Sequence, residues 1–349
     1  MTHQRVYRGR IVGLVLVSIA LVVGLAACSE GEEAGDTFDI AVYVPGVVAG
    51  SPTYEMMAAG VQQAVDERSN ATYKLLEGGF NQGEWENGVT SLAATGQYEL
   101  IVTSNPSMPE IAERVSATFP EQAFLVLDGY LEGHPRIHTV MFNQTEQAFL
   151  SGYFAGLVTQ SDMEFANEAP SAGLLAGQEY PIMNDVILPG FELGLDTVVG
   201  AGTVDFRVLG NWFDAARATE LANGMIGNGI DVILAIAGSG NQGVIAAAQE
   251  NGAYVLWYDS AGYDQAPGTV VGSTVVRLDR AAYERSLAAI DGELEMGIAE
   301  VLGVGDGYVD FADEDPAYRR AVPESVRGEM QDILARMRSG QVAFDMPIN

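Results

Sequence analysis

The chain is poor in the residues from which many enzyme sites are built: its 349 residues include one cysteine, one lysine and three histidines. A transition-metal site needs several thiolate or imidazole ligands, and neither His-Glu-x-x-His nor a cysteine pair occurs, so we expect no metal site of this kind. The single lysine, Lys74, lies outside any G-x-x-x-x-G-K-S/T phosphate loop. Ser239 misses the last glycine of the G-x-S-x-G nucleophile elbow. Enzymatic function therefore has little support in these patterns.

Positive charge is also scarce, with 17 lysine and arginine residues against 47 acidic residues and a formal net charge of −30. Such a surface repels phosphate backbones and anionic lipids, so nucleic acid and anionic membranes are poor partners. An acidic surface with almost no lysine is typical of a protein that faces high salt, where screening weakens the repulsion between its own charges. We therefore expect a saline habitat.

The N-terminus has the pattern of an export signal. Three arginines precede an uncharged apolar run over residues 11–25, and Leu-Ala-Ala then leads to Cys28. Small residues before a lone cysteine predict a bacterial lipobox, with a signal peptide at 1–27 and a lipid anchor on Cys28. An uncleaved membrane anchor is the alternative, but the apolar run is shorter than the ~20 residues that span a bilayer. Residues 28–37 are small and acidic and predict a solvated tether.

Short apolar runs alternate with helical patterns along the rest of the chain. We predict strands at residues 38–44, 73–76, 100–104, 123–127, 138–142, 172–175, 204–209, 232–237, 254–258, 270–276 and 308–311. Helices are predicted at 55–70, 84–95, 108–119, 145–159, 183–198, 214–228, 244–250, 279–296 and 324–339. This alternation, in a chain too long for one core, indicates two doubly wound α/β lobes.

One strand, glycine loop, helix and strand unit dominates the chain. The loop reads G-S-G-N-Q-G from Gly238, through Ser239 and Gly240, and Asp259 ends the second strand 21 residues after Gly238. Parallel strands place the loop and Asp259 on the same carboxyl edge of the sheet, where such sheets bind ligands. The loop fits the NAD fingerprint, but a short βα loop favours glycine anyway, and a loop for another ligand fits equally. The glycine pattern alone leaves these three interpretations open.

Four segments together resemble one family. They are PEQAFLVLDG at 120–129, EQAFLSGYFAG at 146–156, DAARATELA at 214–222 and DVILAIAGSGNQGVIAAAQENG at 231–252. They are similar to the basic membrane protein family of lipoproteins, whose characterised members are purine nucleoside receptors, the substrate-binding components of ABC importers. The resemblance extends over about residues 40–347. It implies a monomeric binding protein without a cofactor, a permease as partner, and a ligand loop at Gly238.

The fold implied by the resemblance is that of a type I periplasmic binding protein, with two α/β lobes joined by three crossovers. We expect lobe one to comprise residues 36–144 and 262–301, and lobe two to comprise 145–261 and 302–349. Hinges are then expected near Asn143, Ser260 and Leu302, since these positions absorb closure of the lobes around a ligand.

The resemblance also implies a set of ligand-binding residues. Tyr54 and Trp212 match the positions of the two aromatic residues that sandwich a base, and Asp128 and Asp259 match the carboxylates that hold its nitrogens or the ribose hydroxyls. Two planar rings and two carboxylates suit a purine nucleoside, since the rings cover its faces and the carboxylates accept its hydrogen bonds.

Two positions depart from the family pattern. Glu55 stands where the family has asparagine, and Val276 stands where it has a lysine in the cleft, leaving Arg277 one position later. Because strand side chains alternate between faces, Arg277 should point away from the place of that lysine. A lost cation and a gained acid leave a free base or a sugar-like compound open as ligand. A signalling receptor ectodomain and an NAD-dependent enzyme are the remaining alternatives.

Overall fold

The computed structural model describes residues 37–348. These residues form two six-stranded sheets. The expected signal peptide, Cys28 and the tether up to residue 36 lie outside the described residues. The strands are β1 (Phe38–Val44), β2 (Ala71–Glu77), β3 (Leu100–Ser104), β4 (Ala123–Leu127), β5 (Ile137–Phe142), β6 (Ser171–Ala176), β7 (Thr203–Val208), β8 (Val232–Ile236), β9 (Tyr254–Trp257), β10 (Val270–Val276), β11 (Ala299–Leu302) and β12 (Val309–Phe311).

The helices cover the faces of these sheets. They are α1 (Pro52–Asp66), α2 (Trp85–Thr95), α3 (Met108–Thr118), α4 (Gln144–Thr159), α5 (Leu188–Val199), α6 (Ala215–Gly227), α7 (Asn241–Asn251), α8 (Leu278–Ile290), α9 (Pro316–Ala321) and α10 (Glu324–Arg338). No helix among residues 37–348 is long and apolar enough to cross a membrane.

Both sheets have the same strand order. The first runs β2-β1-β3-β4-β5-β11 and is parallel throughout, and the second runs β7-β6-β8-β9-β10-β12 with an antiparallel pair of β10 and β12 at its edge. The direction of winding reverses between β1 and β3, and again between β6 and β8. Open α/β sheets bind ligands at the carboxyl ends of strands beside such a reversal. Each sheet therefore offers one edge to a ligand.

Burial explains why the central strands are continuous apolar runs. All residues of β3 and of β10 are buried, as are the last five of β1. Parallel strands covered by helices on both faces lose the alternation of polar and apolar residues that marks a half-exposed strand. The edge strand β7, with the sequence TVDFRV, is only partly buried and keeps that alternation.

Two helices follow a strand of one lobe but pack against a helix of the other lobe. Helix α4 follows β5 of the first sheet but packs against α5 of the second lobe, and α8 follows β10 of the second sheet but packs against α1 of the first. The close contacts require glycine: a Cβ on Gly152 of α4 would lie 1.9 Å from the carbonyl oxygen of Phe191, and one on Gly60 of α1 would lie 2.2 Å from that of Asp279.

The expected second boundary at Ser260 needs correction. Strand β10, within the range 262–301 assigned to lobe one, pairs in parallel with β9 in the second sheet and in antiparallel with β12. The chain leaves the second sheet only after Val276, at Arg277. The loop after Asp259 therefore joins two neighbouring strands of one sheet, as the connection between β4 and β5 does in the first. Residues 262–276 belong to lobe two.

Candidate ligand-binding cleft

Asp128 and Asp259 occupy equivalent places in the two sheets. Asp128 directly follows β4, Asp259 follows β9 by two residues, and β4 and β9 hold the same position in their respective strand orders. Both residues adopt the left-handed backbone conformation, with φ of 56° for Asp128 and 68° for Asp259. This conformation is uncommon outside glycine, and it is found at functional sites where the surrounding structure enforces it.

The first turn of α4 brings the two carboxylates together. The side-chain amide of Gln144 donates a hydrogen bond to Oδ1 of Asp128 at 3.3 Å, and that of Gln147 donates to Oδ1 of Asp259 at 3.0 Å. Residues three apart are neighbours on a helix surface, with Cβ atoms ~5–6 Å apart. One carboxylate from each lobe therefore converges on the same helical turn.

The two acids are held in surroundings that disfavour their charge. The pKa of Asp128 is raised to about 7, first by burial and then by the negative charge of Asp259, while the hydrogen bond from Gln144 opposes the rise. Burial also raises the pKa of Asp259 to about 6, against a lowering by the bond from Gln147. Within residues 37–348, neither pKa receives a contribution from a lysine or an arginine. The pair thus lacks a protein cation to neutralise it.

Tyr54 stands beside the first of these acids. Its half-buried ring packs on Gly46, where a Cβ would lie 2.8 Å from the ring, and its hydroxyl donates to the carbonyl of Pro45 at 3.0 Å. The pKa of Tyr54 is raised to about 12, mainly by burial and also by the charge of Asp128, while a hydrogen bond with Asn105 opposes the rise. The ring of Tyr54 is therefore within reach of a ligand at Asp128.

Glu55 follows Tyr54 in the first turn of α1. Its side chain is exposed, and its Oε1 accepts a hydrogen bond from the backbone N–H of Gly50 at 3.0 Å. The carboxylate thus orders the loop that precedes α1, and its role in ligand binding stays a prediction.

Trp212 lies at the edge of the second lobe. Its ring covers Gly177, where a Cβ would lie 2.3 Å from Cε3 of the indole, and it keeps 39% of its surface exposed. The ring of Tyr180 lies 6.3 Å away, centroid to centroid, at 50°. An exposed indole held over a backbone glycine at the carboxyl end of β6 is suitably placed to stack on a planar ligand.

The glycine loop supports Trp212. The hydroxyl of Ser239 and the N–H of Gly240 donate to the carbonyl oxygen of Trp212, at 3.2 and 3.4 Å. Gly238 has a φ of 59°, and a Cβ there would lie 2.7 Å from the same oxygen, while one on Gly243 would lie 1.9 Å from the carbonyl oxygen of Ala215. Close backbone packing thus accounts for the G-x-G-x-x-G spacing without a pyrophosphate.

Two further tyrosines face the carboxylate pair and were missed in the sequence. Burial raises the pKa of Tyr180, and the charges of Asp259 and Asp128 raise it further, so its hydroxyl lies near both acids. Tyr258 is buried, and the same two charges and Tyr180 raise its pKa. The position of Tyr258 next to Asp259 was an available signal, whereas the loop that carries Tyr180 has no distinctive pattern.

Several buried polar atoms beside the cleft lack a hydrogen-bond partner within the described part of the chain. They include Tyr258 Oη, Gln147 Oε1, Thr145 Oγ1, Thr103 Oγ1 and Ser104 Oγ. Buried polar groups are nearly always paired, so an unpaired group needs an explanation. Gln147 and Thr145 belong to the first turns of α4, and Thr103 and Ser104 end β3, beside the reversal of winding.

Val276 and Arg277 lie at the crossover between the lobes. Val276 is buried at the end of β10, and its backbone N–H donates to the carbonyl of Asp259 at 3.1 Å. Arg277 is exposed and precedes α8. The position next to Asp259 where the family pattern has a cation is therefore filled by an apolar side chain.

Comparison with known proteins fits this geometry. The sequence model of the Bmp family, described as PnrA-like substrate-binding proteins of ABC transporters, matches residues 38–341. The nucleoside-binding protein BmpA of an ABC transporter in Lactococcus lactis is 22% identical over 294 residues, which cover 73% of this chain and 74% of that protein. A CD4+ T-cell-stimulating antigen of Listeria monocytogenes is 22% identical over 52% of this chain, which spans about half of that protein's length (48%).

Solved structures show the same fold. A solute-binding protein of an ABC transporter from Aeropyrum pernix superimposes with a TM-score of 0.74 over 89% of this chain and 94% of its own, at 20% identity. This likeness confirms the predicted type I periplasmic-binding fold with two α/β lobes. The family consists of binding proteins and not enzymes, so the NAD-dependent alternative is set aside. The chain belongs to the Bmp family of PnrA-like ABC transporter substrate-binding proteins.

Proposed function

We propose that this protein delivers a nucleoside, with a purine base expected, to the permease of an ABC importer. The observation that carries the proposal is the convergence of Asp128 and Asp259, one from each lobe, on one turn of α4. Tyr54 of the first lobe lies close enough to Asp128 for that charge to raise its pKa, and Trp212 of the second lobe lies next to Tyr180. The similarity to a nucleoside-binding protein of Lactococcus lactis supports the same ligand class.

The chemistry of the cleft suits such a ligand. Aromatic faces stack on a base from either side, and each stack contributes about 1–3 kcal/mol. Carboxylates accept hydrogen bonds from ring N–H groups or ribose hydroxyls, and a cleft that closes over them leaves few groups unpaired. The unpaired Gln147 Oε1 and Tyr258 hydroxyl offer further positions for a donor-rich ligand. The apolar Val276 keeps a free base or a sugar-like compound as the competing ligand class.

Calorimetry with purified protein tests the proposal. We expect purine nucleosides to bind, and pyrimidine nucleosides, ribose and NAD to bind more weakly or not at all. Trp212→Ala should weaken purine nucleoside binding by about 1–3 kcal/mol because one stacking face is lost. Phe213→Ala is the matched control, since this neighbouring aromatic is 73% exposed and should leave affinity unchanged. Binding of NAD without any nucleoside would contradict the proposal.

We further propose that the protein acts outside the cytoplasm as a monomer attached to the membrane by a lipid on Cys28. The lone cysteine after Leu-Ala-Ala supports this assignment. Metabolic labelling with a radioactive fatty acid should mark the wild-type protein in the membrane fraction. Cys28→Ala should abolish the label and release the protein from the membrane, and a label that persists in this variant would refute the anchor.

A further inference from the structure

We infer that the preferred ligand of this cleft carries a positive charge on its base, so that a cationic purine nucleoside binds more tightly than a neutral one. The inference rests on the proposed function and narrows its ligand class. It is drawn from the negative charge that the two lobes bring together, the aromatic rings around that charge, and the lack of a protein cation beside it.

The half-buried carboxylates of Asp128 and Asp259 come together at the first turn of α4. Gln144 and Gln147 hold Asp128 and Asp259 on one helical turn, through hydrogen bonds of 3.3 and 3.0 Å. Carboxylates brought this close repel each other, and their energy falls if a positive charge is placed between them. A neutral nucleoside can donate hydrogen bonds to both acids but leaves their net charge uncompensated.

Aromatic residues lie near the two carboxylates. The charge of Asp128 contributes to the raised pKa of Tyr54, Tyr180 and Tyr258, so the three residues lie near it, and the ring of Trp212 lies 6.3 Å from that of Tyr180. The faces of such rings attract cations, and cages of aromatic residues recognise quaternary ammonium groups. The hydroxyl of Tyr258, a residue 7% exposed, and Oε1 of the fully buried Gln147 have no partner among the described residues. These are acceptor groups suited to the polarised donors of a cationic base.

Among residues 37–348, no lysine or arginine contributes to the pKa of either aspartate. The residue next to Asp259 at the crossover is the buried Val276, and Arg277 is exposed. Arg207 is engaged with Asp205 at 2.7 Å and Arg285 with Glu300 at 2.6 Å, so neither neutralises the pair. With a formal net charge of −30, the whole chain also attracts cations toward its surface. The raised pKa values of Asp128 and Asp259 show the cost of leaving this pair uncompensated.

Comparing the affinities of three nucleosides separates the effect of a positive charge from the effect of an added methyl group. 1-Methyladenosine carries a positive charge on its base at neutral pH, whereas adenosine is neutral and N6-methyladenosine adds a methyl group without charge. Calorimetry on the wild-type protein should give an affinity for 1-methyladenosine at least about tenfold above those for the two neutral nucleosides. Raising NaCl should weaken binding of 1-methyladenosine and leave adenosine nearly unchanged, since only the former depends on charge.

Variants assign the preference to the two acids. Asp128→Asn and Asp259→Asn keep the side-chain shape, and each should bring the affinity ratio of 1-methyladenosine to adenosine near one. Asp264→Asn removes one exposed acid of the same lobe as Asp259 and should keep the ratio. The salt dependence of the wild type tests the inference even if one variant fails to fold.

The outcomes are distinct. Adenosine that binds as tightly as 1-methyladenosine overturns the inference and leaves the proposed function standing. A preference that persists in both asparagine variants overturns the role of the carboxylate pair. If none of the three nucleosides binds, the proposed function fails, and the inference fails with it.

Discussion

At the scale of one residue, the raised pKa of Asp128 predicts how the free energy of unfolding depends on pH. Its value in the folded protein is raised to about 7 from 3.8, so the folded state holds a proton that the unfolded chain releases as pH rises. Stability is therefore lost as pH rises through this window, and the loss is complete above about pH 7. Asp128→Asn should raise the free energy of unfolding at pH 8 by about 1–3 kcal/mol.

Urea denaturation at two pH values measures this effect. At pH 5 the carboxyl is largely protonated in the folded state, so wild type and Asp128→Asn should differ less than at pH 8. Asp264→Asn, at an exposed acid, serves as the control and should show no comparable dependence. An asparagine variant that is less stable than wild type at pH 8 would show that Asp128 is ionised at little cost.

The residues of the cleft differ in how visible they are in the sequence. Asp128 and Asp259 could be predicted because each ends an apolar run whose carboxyl end lies at a sheet edge. Gln144 and Gln147 could not, because their role depends on α4 crossing to the other lobe. The hydrogen bond that Glu55 accepts from Gly50 was not visible in the sequence either. Local pattern thus identifies strand-end residues but not the partners that tertiary packing gives them.

At the scale of elements, strands that are buried along most of their length were predicted best. Residues 100–104, 123–127 and 270–276 coincide with β3, β4 and β10, since a short apolar run with clear ends has one interpretation. Strand β11 was missed because its sequence, AEVL, is short and only partly buried at the sheet edge. The helix predicted over 279–296 ends at Ile290, because Gly292 adopts a φ of 74° that stops it.

The packing of α4 on α5 makes a prediction about stability. A Cβ on Gly152 would lie 1.9 Å from the carbonyl oxygen of Phe191, which is backbone and cannot move aside alone. Gly152→Ala should therefore destabilise the protein by about 2–4 kcal/mol, despite the better helix propensity of alanine. The midpoint of urea denaturation reports this change.

Gly328 of α10 offers a matched control. A Cβ there meets nothing within 4 Å, so Gly328→Ala should be neutral or stabilising by up to about 1 kcal/mol through helix propensity. Equal effects of the two substitutions would mean that α4 and α5 can separate at little cost.

At the scale of the whole molecule, the acidic charge makes a prediction about salt. With 47 acidic residues against 17 basic ones, repulsion opposes compaction at low ionic strength. The screening length falls from about 10 Å at 0.1 M to about 3 Å at 1 M salt, so NaCl should raise the midpoint of thermal unfolding substantially over this range. Calorimetry in NaCl is compared with calorimetry in sucrose at equal osmolality. Sucrose stabilises by being excluded from the protein surface but does not screen charges, so only a charge effect is specific to NaCl. An unfolding midpoint that is independent of NaCl would rule out the saline-habitat hypothesis.

The division into lobes was the least accessible feature at this scale. Strand β10 has the same apolar character as the first strand of a lobe, so the sequence allowed a crossover on either side of it. Pairing with β9 and with β12, where Thr274 pairs with Phe311 across 37 positions of the chain, places β10 in the second sheet. Pairing between strands that are distant in the chain cannot be recognised from a local sequence pattern.

The exchange of α4 and α8 between the lobes has a consequence for synthesis. When the ribosome has reached Val276, the first lobe still lacks α8 and β11, although β1 to β5 emerged more than 130 residues earlier. A nascent chain at this point exposes the face of α1 that α8 will cover. Domains usually fold in the order in which they are made. In this protein the N-terminal lobe must wait for residues that are translated after most of its partner, so a chain truncated before α8 should engage chaperones through its earlier half.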